Sequence, residues 1–86
     1  MANPVDITAA TRASMLRMGK TWYQLGKLNQ AVETFLRIVE EHPDTREAES
    51  AQSNLLEIAQ GFEGEGRYHL ALDILDRLNK VAGAVA

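Results

Sequence analysis

Eighty-six residues, 45% of them apolar, allow one domain with one modest core and exclude a disordered chain. Cysteine is absent, which excludes disulfides and thiolate metal sites. No run approaches the roughly 20 apolar residues that span a bilayer, so no membrane insertion is expected. The net charge of −3 is split: Arg12, Arg17, Lys20 and Lys27 stand without an acid among them, whereas nine acids between Glu33 and Glu65 face only Arg37 and Arg46. The acidic middle speaks against nucleic acid, and the asymmetry suits a protein partner or a second copy.

Met1–Asp6 lacks the basic-then-apolar pattern of a signal peptide, and a cytoplasmic location is expected. Asp6 or Thr8 can cap a first helix, in which Ile7, Met15, Met18, Trp22 and Leu25 recur at helical spacing. Gly26 ends it. A second helix starts near Asn29, a good capping residue, carries Ala31, Val32, Phe35, Ile38 and Val39 on one stripe, and stops at His42–Pro43. Asp44 with Glu47 reads as a capping box for a third helix through Ala48, Ala51, Leu55, Ile58, Ala59 and Phe62, closed by Gly64–Gly66. A fourth begins near Tyr68, carries Ala71, Leu72, Ile74, Leu75 and Leu78, and ends around Asn79–Lys80. Val81–Ala86 is then a short frayed tail. The composition, rich in Ala, Leu and Glu, agrees with an all-α protein.

An internal repeat links the two halves. Gly26-Lys27-Leu28, Ala31, Phe35 and Ile38 match Gly66-Arg67-Tyr68, Ala71, Leu75 and Leu78, always 40 residues apart. Met18, Gly19 and Trp22 match Ile58, Ala59 and Phe62 at the same offset. The units are expected over about 7–43 and 44–80 of a single domain, and each is a helix pair that must stack to bury its apolar face.

On these residues the chain resembles the tetratricopeptide repeat family. Met18-Gly19, Trp22, Gly26, Ala31, Phe35 and Pro43 follow its pattern in the first unit, and Ile58-Ala59, Phe62, Gly66, Ala71 and Leu75 follow it in the second, which lacks the closing proline. The offset of 40 exceeds the family period of about 34 residues, and Thr45–Ala51, helix-forming in character, places the excess in an N-terminal extension of the third helix. The resemblance implies an array of two antiparallel helix pairs that binds proteins as an adaptor or assembly factor. A small structural subunit or self-associating scaffold is the second reading.

In this family the first helix of each pair lines the concave face. Carried over, that face is Ala13, Leu16, Lys20, Tyr23 and Gln24, with Ser53, Leu56, Gln60, Glu63 and Gly64. Packing of Leu16, Leu56 and Tyr23 into the core is the competing assignment. A clamp for a C-terminal carboxylate is disfavoured, because Leu16 and Leu56 stand where it needs polar groups. The crowded apolar face of the fourth helix and the tail suggest a homodimer through Leu70, Ile74, Val81 and Val85, with Leu75 and Leu78 turned inward against Phe62. A contact between the basic first helix of one copy and the acidic third helix of another is the alternative. His42 and His69 lie far apart without metal-ligand spacing, and no serine has a recognisable histidine partner. No catalytic residue, metal or cofactor is therefore expected.

Overall fold

Gly26 and Gly66 hold φ angles of +75° and +77°, in the left-handed region open to glycine, and the two turns they make are the same turn. At the first, the Lys27 N–H donates to the Trp22 carbonyl and the Gly26 N–H to the Tyr23 carbonyl. At the second, Arg67 donates to Phe62 and Gly66 to Glu63. Both are Schellman closures, which satisfy the last carbonyls of a helix while reversing the chain. The computed structural model describes residues 7–83. In it these turns join α1 (Ile7–Gln24) to α2 (Leu28–Glu41) and α3 (Arg46–Gly64) to α4 (Tyr68–Gly83), with no strand among the described residues.

Each helix packs on the next; α2 also touches α4, and α1 touches α3. The result is two stacked antiparallel pairs, with α1 and α3 on one side and α2 and α4 on the other. The core runs between the pairs: Ala31, Phe35 and Ile38 from α2, Ala51, Leu55 and Ile58 from α3, and Ala71, Ile74 and Leu78 from α4 are buried. Among the described residues no charged or polar side chain is buried with them. α1 contributes one fully enclosed position, Gly19. There the helix backbone lies so close to Phe35 that an added Cβ would stand 2.6 Å from its ring.

The extension expected for α3 is present, since the helix starts at Arg46, directly after the turn. α1 has nearly the same length, 18 residues against 19, so the long first helix is a property of both units.

Helix starts differ from the expected caps. Position 6 lies outside the described residues, and Thr8 sits inside α1. Asn29 is inside α2, whose N-cap Lys27 makes no side-chain cap bond, because the Schellman turn delivers the chain straight into the helix. Asp44 does not cap α3. It completes the turn after Pro43 with φ +64°, leaving Thr45 in extended backbone with its Oγ1 accepting from the Ala48 N–H at 3.1 Å. Thr45→Ala is therefore expected to cost about 1 kcal/mol and to lower the melting temperature by several degrees, whereas Thr45→Ser keeps the cap and stays near wild type in a thermal melt.

At the far end α4 continues through Gly83, beyond the Asn79–Lys80 end that its composition suggests, so Val81 is helical.

The apolar face of α4 is rotated from expectation. Ile74 is 3% exposed and packs inward, while Leu75 is 40% exposed. Leu75 aligns with Phe35, but Phe35 is fully buried between helices, and among the described residues no helix follows α4 to cover Leu75.

Candidate protein-binding face

α1 packs beside α3, and helical steps of three and four mark out the candidate face along them. Lys20, Gln24, Gln60 and Glu63 are exposed there, together with Ser53 and Gly64. Leu16 and Tyr23 are half-buried against the core, with Ala13 at a similar depth, and Leu56 is largely open. Tyr23 turns its hydroxyl towards Glu57 on α3; burial first, and then that carboxylate, raise the phenol above its usual pKa. Both effects disfavour a phenolate, so Tyr23 meets a ligand as a neutral hydroxyl on an aromatic ring. The face is thus electrostatically divided, with Arg17 and Lys20 on α1 and Glu57, Gln60 and Glu63 on α3.

Among the described residues two ion pairs join the repeats. Arg12 Nε contacts Glu47 Oε1 at 3.2 Å between α1 and α3. Between α2 and α4, Arg77 donates through both terminal nitrogens to the two oxygens of Glu33, at 2.7 and 2.8 Å. The fork geometry fixes direction as well as distance, and it draws the Glu33 carboxyl below its usual pKa. Glu47 is also held below the usual range, first by its own backbone N–H at the helix start and then by Arg12. These pairings, and that of Tyr23 with Glu57, are not legible in the sequence, because positions 34 to 44 apart carry no local signature.

Residues 13–45 match the tetratricopeptide repeat family. The matched segment holds most of α1, the Gly26 turn, all of α2 and the closing proline turn. The chain carries a tetratricopeptide-like repeat. α3 and α4 repeat the same pair of helices, the same Schellman turn and the same small-residue crossing, so the two units form a tandem array. No curated protein and no solved structure matches the chain. Tetratricopeptide repeats are a non-catalytic protein–protein interaction fold, and a protein-binding module is the general role they imply here.

The expected self-association residues differ in burial where they are described. Leu70 and Val81 are half-buried against the core, Ile74 is inside it, and Val85 lies outside the described residues. Among the described residues no three His, Asp or Glu side chains gather in a way that could hold a metal ion, and no helix is long and apolar enough to cross a membrane.

Proposed function

We propose that the chain is an adaptor that holds an extended protein segment on the α1–α3 face, through Lys20, Tyr23 and Gln24 on one side and Leu56, Gln60 and Glu63 on the other. Leu16 forms the apolar floor between them. The observation that carries this reading is the combination of an open Leu56 and a half-open Tyr23 among exposed hydrogen-bonding side chains. Packing within the chain does not account for an exposed leucine there, whereas a bound segment needs an apolar anchor surrounded by polar groups.

Peptides selected from a random display library against the 86-residue chain test it. Lys20→Glu/Gln60→Glu is expected to weaken them about ten-fold or more, equivalent to about 1.4 kcal/mol, while Glu40→Lys on the far side leaves titrations unchanged. Peptides that ignore the first variant and lose affinity with the second would move the binding surface to α2 and α4. The second reading, a self-associating scaffold, is favoured by a separate observation: the exposed leucines of α4.

A further inference from the structure

The contact between the two repeats can be carried forward by one repeat, because both are built on matching positions. In repeat one Leu16, Leu28, Val32 and Phe35 are each buried or half-buried against the core that the two repeats share. Forty residues on, the same positions are Leu56, Tyr68, Leu72 and Leu75. All four are exposed, Leu72 by 64%. The receiving surface thus occurs twice and is occupied once.

The inserting surface is duplicated in the same way. Repeat two inserts Leu55, Ile58, Phe62 and Ile74, all buried. Forty residues back stand Met15, Met18, Trp22 and Thr34, which line an open groove of about 1030 Å³ together with Arg37. Met18 is 53% exposed where its counterpart Ile58 is 3% exposed.

The polar contacts translate as well. The Glu33–Arg77 fork between α2 and α4 becomes Asp73 and Arg37, an acid and an arginine again, both on the surface. The Tyr23–Glu57 contact between α1 and α3 becomes Glu63 and Arg17, a pair of opposite charges. At one end both sides turn polar together: Leu36 and Val39 become Asp76 and Asn79, while Ala48 and Ala51 become Thr8 and Thr11. The Arg12–Glu47 pair becomes Gln52 and Ile7 and has no charged equivalent.

We propose that this chain stacks head to tail on a second copy of itself. The α3–α4 face of one copy seats Leu72 and Leu75 over the groove formed by Met18 and Trp22 of the next, with Asp73 opposite Arg37 and Glu63 opposite Arg17. Such a contact is heterologous: each copy keeps one open face of each kind, so association propagates instead of closing as a dimer. A two-fold pairing of α4 helices would set Leu72 against Leu72 and leave Met18, Trp22 and Arg37 without a role. The stacking contact shares Leu56 and Glu63 with the proposed peptide-binding face, and its test is therefore read on the oligomeric state and not on peptide binding.

Complementation of two broken interfaces tests it. Leu72→Glu disables the receiving face and Met18→Glu the groove; both sites are exposed, and circular dichroism checks that each variant folds. In light scattering, the wild-type mass is expected to rise with concentration while each variant alone stays monomeric. Mixed, the two variants give a 1:1 dimer and nothing larger, since only one intact interface can form. Arg37→Asp and Asp73→Arg are each expected to weaken stacking several-fold, and the doubly substituted chain to recover it, because every interface then contains the pair reversed. A wild type that is monomeric at millimolar concentration overturns the proposal. So does a Met18→Glu variant that associates as the wild type does, or a mixture that fails to pair. Peptide binding on the α1–α3 face, measured on monomeric Met18→Glu, keeps the two readings separate.

Discussion

Ala31→Trp is expected to abolish cooperative thermal unfolding, leaving a helical but loosely packed chain. Ala31 is fully enclosed on α2, which packs against α1 on one side and α3 on the other. An indole at this position has nowhere to go without separating α2 from α1. Overpacking by a few methylenes already costs about 1–3 kcal/mol, and a whole ring system exceeds that. At about 0.05–0.15 kcal/mol per residue, a chain of this size has only some 4–13 kcal/mol in total, so one such lesion removes much of it. Differential scanning calorimetry should show the unfolding peak broadened or lost. Ala71→Trp at the matching position is expected to be milder, because among the described residues no helix follows α4 to resist its outward movement. An Ala31→Trp protein that melts as sharply as the wild type would place the α1–α2 crossing elsewhere.

The contrast between Ala31 and Ala71 also explains what the sequence reveals about this fold and what it conceals. The helix pairs are legible because Gly26 and Gly66 are required at positive φ, and glycine at a fixed offset is a local signal. The α3 cap is not, since Asp44, Thr45 and Glu47 all have capping chemistry and the backbone decides among them. Pro43 and the left-handed Asp44 leave only Thr45 extended. The repeat alignment correctly pairs Phe35 with Leu75, yet burial depends on the neighbour that follows, and sequence equivalence does not supply one. α4 compounds this, because Leu70, Leu72, Ile74, Leu75 and Leu78 are too dense to define a single stripe. On the candidate binding face, Lys20, Gln24, Gln60 and Glu63 are each exposed. Glu57 completes that face through a contact across helices, and periodicity along one helix carries no trace of it.

Gly19→Ala is expected to destabilise the chain by about 1–3 kcal/mol, even though alanine is the better helix former. Glycine in a helix interior costs up to about 1 kcal/mol relative to alanine, so the packing penalty must exceed that gain for the sign to hold. The geometry makes it do so. A Cβ on Gly19 would lie 2.6, 2.9 and 3.0 Å from three atoms of the Phe35 ring, closer than real methyl carbons approach. Phe35 cannot swing aside, because it is fully buried. The second repeat shows the same crossing solved differently: Ala59 replaces the glycine, and Leu75 replaces the ring. Shortening the ring should therefore relieve the clash. Phe35→Leu alone is expected to destabilise by removing buried area, but Gly19→Ala/Phe35→Leu should be clearly more stable than the sum of the two single losses. Urea titrations of the four proteins give the coupling directly. Simple additivity would mean that the α1–α2 crossing yields at Gly19 by backbone movement, and that the small residue there is not held by Phe35.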